Sequence, residues 1–164
     1  MSSSRMVFGA VALVCAALIA VALFMEYVMG LVPCPLCMLQ RLAVVTVGAV
    51  ALVAALHGPR GWGVRVYGGL VTLTAAAGGA ISSRQLWLQH LPEGQKPACG
   101  AGYDYIMDAL PLFDALKTIL QGTGDCAKVV WTFLGLSIPG WTLLAFIAMG
   151  LVGIWMAVKG GNRA

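Results

Sequence analysis

The chain has 164 residues, of which 60% are hydrophobic and only 10% charged, with a formal net charge of +4. A soluble domain carries roughly 25% charged residues, so this chain has too little polar surface to cover itself in water, and a lipid bilayer is the solvent its composition fits. No basic stripe interleaved with aromatics occurs, which excludes nucleic acid as a partner.

Taken in chain order, the uncharged runs predict four membrane spans. Met6–Met25 is free of charge for twenty residues, enough to cross a hydrocarbon core that takes about 20 helical residues. The run exceeds the roughly 7–15 residues of a signal-peptide core, and Val14 before Cys15 is not the small residue of a lipoprotein cleavage site. The second span lies between Cys37 and His57. Leu42–Leu56 alone would make about 22 Å of helix, so the helix is expected to begin near Cys37 or Met38, with Arg41 in or near its first turn. The third span is Val66–Ser83. The fourth is Trp141–Val158, with Val129–Ile138 an interfacial segment set off by Pro139-Gly140. All five tryptophans fall near the expected membrane edges, as aromatic belts do. Within the long connection, Asp104–Leu120 is expected to hold one or two short helices broken at Pro111.

Basic residues set the direction. Arg5, Arg60, Arg65, Lys159 and Arg163 occupy three short segments without a single acid, whereas Arg84–Pro139 mixes four basic residues with five acidic ones. The positive-inside rule then puts both termini in the cytoplasm. Cys34, Cys37, Cys99 and Cys126 fall on the opposite, oxidising side. Cys15 falls within the first span, as a small apolar residue.

Cys34 and Cys37 form a C-x-x-C pair in Pro33-Cys34-Pro35-Leu36-Cys37, a spacing that often lowers the pKa of one thiol. Cys37 is expected at the N-terminus of the second span, where the helix dipole favours an anion, and Arg41 is four residues on, on the same helix face. A structural disulfide or half a zinc site are the alternatives. Zinc wants four ligands and the chain has only two histidines, His57 and His90. A ring of so few residues gains little from loop closure. Cys99 and Cys126, flanked by glycines, make the second pair. As a plain staple they would stabilise by roughly 3.6 kcal/mol. Four cysteines allow three connectivities. Two pairs on one side also permit thiol–disulfide exchange through a mixed disulfide. The electrons then need an acceptor, and no haem or dinucleotide motif is present. A quinone in the apolar interface beside Arg41 fits, since an intramembrane arginine is costly and points to function. His90, at the end of the third span, is a candidate donor to it.

These motifs, together with Gln85–His90, Gly124-Asp125-Cys126-Ala127 and Trp131-Thr132-Phe133-Leu134-Gly135-Leu136-Ser137-Ile138-Pro139-Gly140-Trp141, resemble the DsbB family of bacterial inner-membrane thiol oxidases over nearly the whole chain. The resemblance implies an all-α membrane protein: one transmembrane four-helix bundle over 1–164, with a long periplasmic loop, 84–140, carrying short helices. It implies a bound ubiquinone or menaquinone and a periplasmic thioredoxin-fold partner of the DsbA type. Carried over residue by residue, Cys99 takes the partner's attack. Cys126 pairs with Cys99 and exchanges with Cys34. Cys37 faces the quinone, with Arg41 and His90 lining its site. Pro35 departs from what many members place between the cysteines. The vitamin K epoxide reductase type of quinone enzyme puts its C-x-x-C late in the chain, the reverse of the order here. A scaffold stapled by two structural disulfides is the non-enzymatic alternative, and it would hold disulfides far harder to reduce.

Overall fold

The computed structural model describes residues 3–98 and 103–161; Cys99 lies outside the described residues. Each uncharged run is a helix: α1 Ser3–Tyr27, α2 Pro35–His57, α3 Trp62–Gln89 and α6 Ile138–Gly161. All four are long and apolar enough to cross a membrane. They bury little of their apolar surface on one another: Leu13, Leu52, Leu73 and Leu151 are all exposed. Surface of that kind is stable only in lipid, so the chain is a multi-pass membrane protein.

Helix ends depart from the charge boundaries in three places, each with a local cause. α2 begins at Pro35, two residues ahead of Cys37. Cys34 is its N-cap, in extended backbone, and its sulfur accepts the Cys37 N–H at 3.3 Å. Proline suits the first helical position because its missing N–H has no helical partner there. Arg41 consequently sits in the second turn. α3 runs four residues further towards the N-terminus than Val66 and six further than Ser83 towards the C-terminus. Its outer turns are polar but tied: Arg84 lies 4.4 Å over the Trp87 ring and donates to the carbonyl of Gln121 at 3.1 Å. α6 takes Pro139-Gly140 into its first turn without a break, since proline is disruptive only deeper in a helix. The segment before it is an antiparallel hairpin, β1 Thr132–Phe133 and β2 Leu136–Ser137, closed by Leu134-Gly135 with both residues at positive φ.

α3 and α6 make the most extensive helix contact, through small residues. A Cβ on Gly68 would stand 2.7 Å from the Gly153 carbonyl, and one on Gly78 would stand 2.3 Å from the Phe146 ring. Close backbone approach of this kind drives helix association where no hydrophobic effect operates. α1 is joined to the far end of α2 by Arg5, whose Nε donates to the Ala55 carbonyl at 2.9 Å. It thereby caps carbonyls that the helix leaves open. The main core runs along the bundle from Phe8, Val11 and Ala54 to Val71, Phe146 and Met149.

A second core, at the other end, holds the long connection against the bundle. Here α4 Tyr103–Ala109 and α5 Leu112–Gln121 flank Pro111 as expected. A single 3-10 turn follows at Gly124–Ala127. Leu36, Leu88, Ile106, Ala115, Ile119, Cys126 and Ala127 pack together. Gly122, at φ 83, passes so close to Leu88 that a Cβ would fall 2.3 Å from its methyl. That turn brings Cys126 down onto the start of α2.

Candidate active site

Three thiols converge where α2, α3 and the 3-10 turn meet. Cys34 and Cys37 are brought side by side by the N-cap geometry, their sulfurs hydrogen-bonded at 2.8 Å. Cys126, fully buried, interacts with Cys34 on the other side. Its sulfur also lies 3.7 Å from Thr123 Oγ1. These contacts divide the protons. Cys34 donates to Cys126 and bonds to Cys37, and both bonds, with burial, hold its own pKa well above the ordinary thiol value. Cys126 is pulled down from 9.0 to about 6, first by the bond from Cys34, against burial, and then by the N–H groups of Leu36 and Thr123 and the Thr123 hydroxyl. Hydrogen bonds to the charged form favour it, so the Cys126 thiol ionises more readily than an ordinary thiol beside Cys34.

Gln85 of α3 reaches the same pair. Its Nε2 lies 3.3 Å from both Cys34 Sγ and Cys37 Sγ, while its Oε1 accepts from Gln40 Nε2 at 2.6 Å. Both amides are buried. The sequence motif Gln85–His90 includes this residue, but no role follows from a glutamine in a stretch of mixed polarity. The available signal was its place one turn before the end of an apolar helix, level with the cysteines.

Cys37 also opens onto a cavity of about 320 Å³ between α1, the first turns of α2, the hairpin and the start of α6. Leu18, Ala22, Met25, Trp131, Phe133 and Trp141 supply apolar walls, and Cys37, Gln40, Arg41 and Thr142 the polar points. Arg41 is held there from α1: it pairs with Glu26 and donates to the Ala22 carbonyl at 3.0 Å. A cavity of this size, mostly apolar with a few polar groups, is the usual form of a small-molecule site. Cys34 does not line it. Cys34 and Cys37 together border a smaller crevice of about 40 Å³ that faces Asp125 and Gln89.

Of the residues expected to act, Cys34, Cys37, Cys126 and Arg41 are thus brought together. His90 is not. It ends α3, exposed, with its Nδ1 2.7 Å from the Leu86 carbonyl, and it lines neither the large cavity nor the crevice. Cys99 lies outside the described residues, but its neighbour Ala98 accepts the Gly124 N–H at 2.9 Å, two residues before Cys126. Cys15 is buried in the bundle, 3.4 Å from Met149 Sδ.

Comparison with known proteins gives the family. The family model for disulfide bond formation protein DsbB matches residues 4–156. A disulfide bond formation protein B of Marinobacter nauticus is 57% identical over 157 residues, 96% of this chain and 94% of the relative. One from an Azoarcus species is 51% identical over 152 residues, covering 93% and 91%. One from Nitrosococcus oceani is 45% identical over 162 residues, covering 99% and 96%. The chain belongs to the DsbB disulfide bond formation family and is a disulfide oxidoreductase of the membrane.

Proposed function

We propose that the protein reoxidises a soluble thioredoxin-fold dithiol of the DsbA type and passes the electrons through its two cysteine pairs to a membrane quinone. The partner's thiolate attacks Cys99 of a Cys99–Cys126 disulfide, and the partner leaves oxidised, with Cys99 and Cys126 reduced. Cys126 then attacks Cys34 of a Cys34–Cys37 disulfide. A Cys126–Cys34 bond forms, the Cys34–Cys37 bond breaks, and the electron pair stays on Cys37 Sγ. Attack of Cys99 on Cys126 restores the first disulfide and leaves Cys34 and Cys37 reduced. When bound, a ubiquinone or menaquinone supplies the two-electron, two-proton acceptor that returns this pair to the disulfide.

The observation that carries this reading is the split role of the C-x-x-C pair. Cys34 interacts with the Cys126 thiol, and Cys37 opens onto the apolar cavity beside Arg41. The cavity fits a quinone by its donor set. An apolar ring fills such walls, and a guanidinium at one edge favours an oxygen that gains negative charge. Arg41 is kept in that position by Glu26 rather than extended to the headgroups. Arg5, Arg60, Arg65 and Lys159 lie at helix ends remote from the cysteines. This supports a bacterial inner-membrane orientation with cytoplasmic termini and periplasmic thiols.

The test mixes the purified protein, loaded with quinone, with reduced partner, and follows quinone absorbance and partner thiols together. One quinone reduced per partner disulfide formed, with turnover lost in Cys99→Ala, is the expected result. Partner oxidation without quinone reduction would overturn the acceptor. Failure of both, with disulfides that resist glutathione, would favour a structural staple.

A further inference from the structure

We propose that Gln85 is a catalytic residue, the hydrogen-bond donor that receives negative charge on the Cys34–Cys37 pair, and that Gln40 is the positioning residue that aims it. The inference rests on the reading of Cys34–Cys37 as a redox pair.

A buried carboxamide in a membrane helix is costly unless all its polar atoms are matched. Gln85 is 3% exposed and Gln40 4%, and α2 carries Gln40 three residues after Cys37, on the same helix face. The Gln85 amide has two possible orientations. With Gln40 Nε2 donating to Oε1 at 2.6 Å, the oxygen is taken, and the two N–H bonds are left for the sulfurs, 3.3 Å from each. Cys37 alone has a further contact, 3.7 Å from the same oxygen, so its thiol form also finds an acceptor. The amide therefore serves either protonation state without itself titrating.

The chemistry makes this donor selective. When Cys126 attacks Cys34, the Cys34–Cys37 bond breaks and the electron pair leaves on Cys37 Sγ. A neutral disulfide sulfur accepts hydrogen bonds weakly, whereas a thiolate accepts a charge-assisted one. The Gln85 N–H groups thus bind the leaving group more strongly than the starting disulfide, which is differential stabilisation of the kind that speeds a step. In the structure the Arg41 guanidinium bonds to Glu26 and to the Ala22 carbonyl, not to either sulfur.

The test uses the full-length protein in detergent, without quinone for two readouts and with it for the third. The readouts are the alkylation rate of Cys37 in the reduced protein at pH 7, the redox equilibrium of the pair against glutathione, and partner-driven turnover. Gln85→Leu is expected to slow alkylation and turnover by roughly tenfold to a hundredfold, the range for losing one hydrogen bond to a charged group, and to shift the equilibrium towards the disulfide. Gln85→Glu, close in shape but without an N–H, is expected to do at least as much. Gln40→Leu is expected to show a smaller loss in the same direction. Gln40→Leu combined with Gln85→Leu should be no worse than Gln85→Leu alone, because Gln40 acts through Gln85. Wild-type alkylation and equilibrium in both Gln85 variants would overturn the proposal, as would additive losses in the double variant. A wild-type protein that fails to oxidise its partner would instead overturn the relay, whatever Gln85 does.

Discussion

The two ends of this bundle solve opposite problems. At the end holding the termini, α3 and α6 close on each other through Gly68 and Gly153, and the core that runs from Phe8 past Val71 to Phe146 contains no acid or base. The other end holds a 3-10 turn, two buried amides, three thiols and a cavity. Among the described residues, no buried side-chain nitrogen or oxygen is left without a partner. The polar end is thus matched bond for bond, not merely tolerated. Stability resides in the tight end, and chemistry in the end where polar groups and thiols meet. Loss of a residue should therefore tell on folding at one end and on turnover at the other.

The largest effect expected is at Cys37. Cys37→Ala removes the leaving sulfur, so partner-driven turnover should fall by at least about a thousandfold, as for an essential nucleophile, while thermal unfolding in detergent is unchanged. Next comes the opposite end, where the signs reverse. Gly153→Val forces a branched side chain against Thr72 Oγ1 and the Gly68 carbonyl. It should cost about 3 kcal/mol of stability, as overpacking does, read by chemical denaturation, with turnover per folded molecule retained. A Gly153→Val protein of normal stability would break the division.

Smaller effects sharpen the picture of the cavity. Arg41→Leu leaves Glu26 without its cation and should raise the KM for quinone by roughly tenfold, the size of one charge-assisted bond. Glu26→Gln keeps a neutral acceptor for Arg41 and should do less. Equal losses would mean that the ion pair matters as a unit. The smallest shift concerns protons. In the reduced protein Cys126 carries a thiol pKa lowered to about 6. Its alkylation rate should therefore rise as pH climbs through 6 and level off above, whereas an ordinary thiol would keep rising towards 9. Cys34→Ala removes the first cause of that lowering and should move the midpoint upward, and Cys34→Ser, which keeps a donor, should move it less. A midpoint indifferent to both would place Cys126 away from Cys34.

Much of the fold was legible in the sequence, because a membrane span is announced by twenty residues without charge, and Pro111 announces a break between α4 and α5. Helix ends were less so. Charge marks where a segment leaves the lipid, but α3 continues to Gln89 because Arg84 can stack on Trp87 and still keep helical backbone. Pro139 looked like an interruption and is instead part of a helix start. At the site, the C-x-x-C pair and Arg41 were readable because their spacing on α2 is local. Gln85 was not, since its meaning depends on meeting a different helix 45 residues from Gln40. His90 shows the converse: proximity in chain order to the end of α3 does not bring its ring to the cavity.

The central claim is that Cys34 belongs to Cys126 and Cys37 to the cavity. Peptide mass mapping of the disulfide that Cys126 forms in two variants, Cys37→Ser and Cys34→Ser, each with Cys99→Ser, tests it most directly. Mild oxidation should join Cys126 to Cys34 rapidly in the first and join Cys126 to Cys37 at least about tenfold more slowly in the second, following the access rule for thiol exchange. Equal rates, or faster capture of Cys37, would contradict the account.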